Sequence, residues 1–457
     1  MFVQRGSSRS RIALAGALSA GLVLGLSACA DSKDDGGSGT VPASSLGAID
    51  CAPYTAFGDL KGKEVSIYTG IVTPEDAPQK QSYKPFEDCT GVTIKYEGDK
   101  AFETQVLIRA EAGNPPDVAF VPQPGLLQRL VATGKAKEAP AETAALVDKN
   151  FGADWKAYGT VDGKFYAAPL GANVKSLVWY SPKEFTDNGY TVPTTLAELK
   201  TLSDKIAATG KKPWCAGISS GEATGWPMTD WMEDFYLRLN GVDAYDKWVK
   251  HETPFNSPES TKALDAVGEY LKNDKYVNGG LGDVKSIAST TFQDAGLQII
   301  EGACSLHRQA SFYAANFDKN TKVAEDGDVY AFYLPGETAD KKPVLGGGEF
   351  VLAFADRPEV KAFQTFLATD TWANAKAKVS SGWVSANKGL QISNLVNPID
   401  QLSAKILQDP NAQFRFDGSD MMPAAVGSNA FWKQATNWIT GQDTKKTLDA
   451  IEAAWPK

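Results

Sequence analysis

Histidine is almost absent from this 457-residue chain, which holds only His251 and His307. So few imidazoles leave no set for a multi-histidine zinc site or a Ser/His/Asp relay, and no HExxH motif occurs. Basic residues do not dominate either. There are 46 Lys and Arg against 55 Asp and Glu, a net charge of -9. Nucleic acid is thereby excluded as a partner, because neutralising phosphates needs a surplus of cations. Cysteine is scarce: Cys29, Cys51, Cys89, Cys215 and Cys304, with no CxxC spacing that would suit a metal. No apolar run reaches the roughly 20 residues of a membrane-crossing helix. What is left is ordinary for a globular protein, at 43% apolar and 22% charged residues.

The longest apolar run lies in 11–29, RIALAGALSAGLVLGLSAC. Arg5, Arg9 and Arg11 precede it, residues 12–26 carry no charge, and small residues end it, which is the pattern of an export signal. At about 15 residues it is too short to stay as an anchor. Leu26-Ser27-Ala28-Cys29 resembles the lipobox of bacterial lipoproteins. That resemblance implies that residues 1–28 are removed and that Cys29 takes a lipid. The alternative is an ordinary secretory signal with an incidental cysteine. Residues 29–58, rich in Gly, Ser and Asp, then form a flexible linker that holds the body at the extracellular face of the cytoplasmic membrane.

Export makes disulfides available to the other four cysteines. Of three pairings, the favoured one joins Cys51 to Cys89 across one strand and one helix, and Cys215 to Cys304 across strand-like positions further on. Closing the first loop would contribute about 3–4 kcal/mol in a chain-entropy picture.

Roughly 400 residues remain past the linker, more than a single core accommodates, so two lobes are expected. Strand patterns at 63–71, 92–96 and 116–122 alternate with helical ones at 79–88 and 101–112, which predicts a parallel sheet with crossover helices. Ligands of such sheets collect at the carboxyl ends of the strands. Here those ends carry Tyr68, Glu97, Asp99 and Gln123. Strands at 164–168 and 176–180 flank a Pro-Leu-Gly break at 169–171, where the chain can pass into a second α/β lobe. A helix capped by Thr194 or Thr195 and a strand at 212–219 follow.

In order, GKFYAAP, KSLVWYS, a TGWP segment, EGACSL and a late FW helix resemble the extracytoplasmic solute-binding proteins of carbohydrate ABC importers, the maltose-binding-protein-like group. CTGVTIKYEG, VAFVPQPGLL, PWCAGISSGEATGWPMTDWMED and GGGEF look like its α-glucoside-binding branch. The resemblance implies a two-lobed α/β periplasmic-binding-protein-like fold with a hinge of three crossings. Lobe 1 would span 59–172 plus 348–373, and lobe 2 would span 173–347 plus 374–457. It further implies capture of an α-glucoside-type sugar by a monomer, delivery to ABC permease subunits, and no cofactor or catalytic residue.

A sugar needs hydrogen-bond partners for its hydroxyls and flat rings for its C–H faces. The tract 220–234 mixes both, with Trp226 in a loop ahead of a helix at 230–239 that carries Asp230 and Trp231. By resemblance Trp226 takes the ring position of the family's TWP segment. Gln309 and Phe312 follow a strand that ends near His307, and Phe312 stands where the family has a stacking tryptophan. A lone histidine there reads as structural. Gly346-Gly347-Gly348 precedes a strand at 350–354, reading as the second hinge crossing, with Glu349 a sugar partner. No Lys-Ser or Lys-Thr follows, which argues against a phosphate cradle. A helix at 361–377 leads to Trp383 in a third crossing. Trp432, on a helix at 429–439 capped by Ser428, matches by resemblance the last stacking ring, and Trp438 and a terminal helix at 444–455 pack as core. A glycoside hydrolase built on two acids, or a passive carbohydrate-binding adhesin, are the rival readings.

Overall fold

Alternating β-branched and aromatic residues in EVSIYT form β1 (Glu64–Thr69), buried along its second half, in the first sheet beside the edge strand. The computed structural model describes residues 46–73 and 75–456. The signal segment 1–28, Cys29 and the linker up to residue 45 lie outside these described residues. The other strands are β2 (Thr93–Gly98), β3 (Val118–Val121), β4 (Thr160–Val161), β5 (Lys164–Phe165), β6 (Ala167–Val174), β7 (Leu177–Tyr180), β8 (Lys212–Trp214), β9 (Cys304–Arg308), β10 (Tyr330–Tyr333), β11 (Lys342–Ala353) and β12 (Ala412–Phe416).

The fold is α/β with two lobes. The first sheet has the order β12-β11-β3-β1-β2, with β6 on the other edge of β11. β1 runs parallel to both β2 and β3, as crossover helices require. The second sheet has the order β10-β7-β9-β8. Only Lys175 and Ser176 separate β6 in the first sheet from β7 in the second. Both disulfides form in the favoured pairing, Cys51–Cys89 and Cys215–Cys304.

Several elements differ from expectation. The helix at 79–88 is two, Asp76–Gln81 and Lys84–Thr90, because Pro85 suits only the first turn of a new helix. The helix at 361–377 is also two, Pro358–Leu367 and Asp370–Val379, the second begun by the Thr369 hydroxyl accepting from the Trp372 N–H. The Pro-Leu-Gly tract is no break: β6 runs through it, and Pro169 sits where the register with β11 shifts between Glu349 and Phe350. The glycine run likewise lies inside β11. A Cβ on Gly346 would stand 2.4 Å from the Asn173 carbonyl oxygen, and one on Gly348 2.3 Å from that of Gly171. These glycines permit close strand approach rather than a bend.

Trp226 is the first residue of a helix, Trp226–Asn240, entered through Gly225 at φ 116° with Pro227 in the first turn. β8 stops at Trp214, short of 219. Ser428 is no cap, since it lies in a π-turn (Val426–Phe431) ahead of the helix Trp432–Ile439 and its hydroxyl donates to the Ala424 carbonyl. Trp438 is buried as expected, and the last helix, Thr444–Glu452, packs Leu448 and Ile451 inward.

Candidate functional site

A recess of about 240 Å³ opens where both lobes meet, lined by Gln79, Asn173, Phe312, Glu349, Lys376, Ser380 and Trp383 among others. Trp383 forms one wall. Its loop is held by Asp400, whose carboxylate accepts from the Gly382 N–H at 2.8 Å, and by the Ala172 N–H donating to the Val384 carbonyl at 2.8 Å. Behind it the ring meets Trp372 edge-on at 5.5 Å. Gly171 makes room in front, because a Cβ there would stand 2.6 Å from Glu349 Oε2 and 2.9 Å from Trp383 Nε1. The plate and the carboxylate are thus side by side.

Phe312, from the chain after β9 of the second sheet, lines the same recess. Phe312 lies 6.0 Å from Trp226, which meets Phe292 at 5.0 Å and carries the Lys175 ammonium 5.5 Å above its ring. Gly225, just before Trp226, abuts the Trp432 backbone, where a Cβ would come within 2.3 Å of the carbonyl oxygen. Trp432 in turn borders a broader cleft of about 1110 Å³ with Glu103, Gln123, Arg129, Glu222 and Asp420. Trp432 Nε1 is buried there without a partner. The aromatic wall therefore links two recesses, with Trp383 in one and Trp432 in the other.

Polar groups in the smaller recess are left open. Asn173 Oδ1 and Ser380 Oγ are buried and unbonded. Among the described residues the Lys376 ammonium has no hydrogen-bond or ion-pair partner, and the Glu349 carboxylate has only its own backbone N–H. Burial, with Glu75 nearby, pushes the Glu349 carboxyl up to about 7. Burial also pulls the Lys376 ammonium down to about 7. Open donors and acceptors beside aromatic plates suit a ligand with many hydroxyls.

Other expected contacts sit elsewhere. Asp230 is fully buried, one oxygen accepting from Lys175 Nζ at 3.0 Å and the other from Arg308 at 3.1 Å. Trp231 is core, edge-on to Trp214 at 5.3 Å. The buried Gln309 side chain accepts from the Ala310 N–H. Tyr68 is buried and donates to Asp99 at 2.6 Å, while Arg109 grips Glu97 in two hydrogen bonds and covers the Tyr68 ring at 3.9 Å. That cluster satisfies itself. Sequence reasoning missed Lys376, and the one signal for it was its place four residues after Trp372, on a buried helix face.

Catalytic machinery is not assembled. Gly217 to Gly221 spells G-x-S-x-G, yet no hydrogen bond joins Ser219 to a histidine among the described residues. His307 is neutral, its pKa lowered by burial to about 4, with Nδ1 against the Cys215 carbonyl, and His251 stacks on Trp455 at 4.1 Å.

Residues 67–374 match the family described as bacterial extracellular solute-binding protein. The alpha-glucosides-binding periplasmic protein AglE of Rhizobium meliloti is 39% identical, over 87% of this chain and 88% of the relative. The osmoprotective compounds-binding protein GgtB of Synechocystis is 36% identical, over 88% and 94%. Among solved structures, the solute receptor AcbH, described as preferring β-D-galactopyranose, superposes with a TM-score of 0.71 at 20% identity, covering 86% of this chain and 97% of that one. Maltose-bound MalE3 of T. maritima gives 0.61 at 17% identity, covering 86% and 98%.

Proposed function

Because the chain belongs to the bacterial extracellular solute-binding proteins, a family of binders rather than enzymes, we propose that it captures an α-glucoside-type di- or oligosaccharide and delivers it to an ABC permease. The observation that carries this reading is the smaller recess, which Trp383 and Phe312 line together with the open Glu349, Lys376 and Asn173 side chains. The identity to AglE supports the α-glucoside class.

The working cycle is a population shift. An open and a closed form exchange about the chain passages between the two sheets, among them Lys175 and Ser176 between β6 and β7 and residues 334–341 between β10 and β11, and sugar favours the closed one because only there do both lobes touch it. The protein acts as a monomer, moored to the membrane through a lipid on Cys29. Thermal-shift screening of maltose, trehalose, sucrose and longer α-glucans tests the reading, since a bound ligand raises Tm. At least one is expected to do so, and a flat response to all of them contradicts it. Small-angle scattering with the binding sugar should show a smaller radius of gyration, whereas an adhesin shows none and a hydrolase releases reducing ends.

A further inference from the structure

Among the described residues the buried cations below Trp226 are matched. Lys175 has Asp230 and Asp417, Arg308 has Asp230 and Asp234, and Arg238 has Asp234. Lys376 differs: it is 3% exposed, lies 6.0 Å over the Trp383 ring, and among the described residues meets Glu75 and Glu349 only through space, with no hydrogen bond or ion pair. A buried ammonium that makes no hydrogen bond is costly, so its retention beside a cavity points to a ligand that completes it.

We infer that Lys376 is a specificity-determining residue: its ammonium and the Glu349 carboxylate form an open donor–acceptor clamp that one ring hydroxyl of the ligand closes. The inference rests on the sugar-binding reading above and deepens it. A hydroxyl can accept from Lys376 and donate to Glu349 at once, which a carboxylate or an ammonium cannot do. Glu75 and Glu349 together disfavour an anion, and Lys376 disfavours a cation, so the chemistry that fits is a neutral polyol.

The clamp requires a charged lysine and an ionised glutamate. Titratable groups that bear on the recess are Glu75 from the turn before the helix Asp76–Gln81, Tyr96 from β2, Glu349 from β11, Lys376 from the helix Asp370–Val379 and Asp400 behind the Trp383 loop, while the chain after β9 contributes the uncharged Phe312. Glu349 takes up a proton as pH falls below about 7, and Lys376 loses one as pH rises above about 7. Affinity therefore peaks near neutrality and declines on both sides.

Calorimetry on the mature protein with maltose, trehalose and sucrose, and then with monodeoxy derivatives of whichever binds, tests the clamp. Lys376→Met should weaken binding by about tenfold or more, abolish the alkaline decline, and raise the Tm of the free protein by removing an uncompensated charge. A deoxy sugar that costs the wild type tenfold should cost this variant nothing further. Lys376→Arg, which stays charged at high pH, should retain binding without the alkaline decline, and Glu349→Gln should lose the acid one. Unchanged affinity, pH profile and deoxy discrimination in Lys376→Met would overturn the clamp while leaving sugar binding intact. A wild type that binds none of the three sugars overturns the reading beneath it, and the clamp with it.

Discussion

Two groups of buried charges lie on either side of the aromatic wall, and they are opposites. Beneath Trp226, Lys175, Arg308 and Arg238 interlock with Asp230, Asp234 and Asp417, while Glu233 accepts from the Gly418 and Ser419 N–H groups. Arg238 also donates to the Leu334, Pro335 and Pro343 carbonyls, and Ser176 bonds both Asp234 and the Leu345 N–H. This network fastens the places where the chain passes between the sheets. In the recess by Trp383, Lys376 is buried and Glu349 half-buried, and among the described residues neither has such partners. Charge type does not separate architecture from binding; saturation does.

The largest expected effect follows from breaking the saturated side. Arg308→Ala leaves one buried oxygen each of Asp230 and Asp234 without its donor, with Lys175 and Arg238 as the remaining cations, and should cost about 3–5 kcal/mol of stability in denaturant unfolding. A loss below 1 kcal/mol would mean that water reaches those carboxylates. Next comes the unsaturated side, where Trp383→Ala and Trp226→Ala should each lower sugar affinity by about tenfold or more with circular dichroism unchanged. Trp231→Phe, on the core face of the same helix as Trp226, should leave affinity within about twofold by calorimetry. Equal losses at 226 and 231 would dissolve the contrast between wall and core.

The smallest effect concerns pH. Folding raises the Glu349 pKa from 4.5 to about 7, so between those values the native state holds the extra proton and stability falls as pH rises. Folding lowers the Lys376 pKa from 10.5 to about 7, so above 7 the unfolded state holds the extra proton and stability rises with pH. Ligand-free wild type minus the Glu349→Gln, Lys376→Met double variant should therefore show a stability minimum near pH 7. A difference curve without that dip would mean that solvent already completes the pair.

The same contrast explains what the sequence made readable. β1, β2 and β3 follow from alternation and apolar runs, and both disulfides from strand and helix placement. Phe312, Glu349 and Trp383 sit together because each ends or interrupts an element at the meeting of the lobes. Asp230 and Trp231 looked like ligand residues because acids beside indoles suit sugars. Their helix is instead buried on nearly every side, with its charges answered from β9 and from the chain beyond β6 and β12. No local pattern reveals such distant partners. Gly225 and Pro227 read as loop punctuation, yet they open a helix. Lys376 does not stand out, since its only local signal is the spacing of four from the buried Trp372.

A crystal structure with the highest-affinity sugar decides which recess takes the ligand. A pyranose ring should lie flat against Trp383, with one hydroxyl within hydrogen-bonding reach of both Lys376 Nζ and Glu349. A sugar seated beside Trp432 and Asp420 in the broader cleft, with the smaller recess holding only water, would contradict that placement.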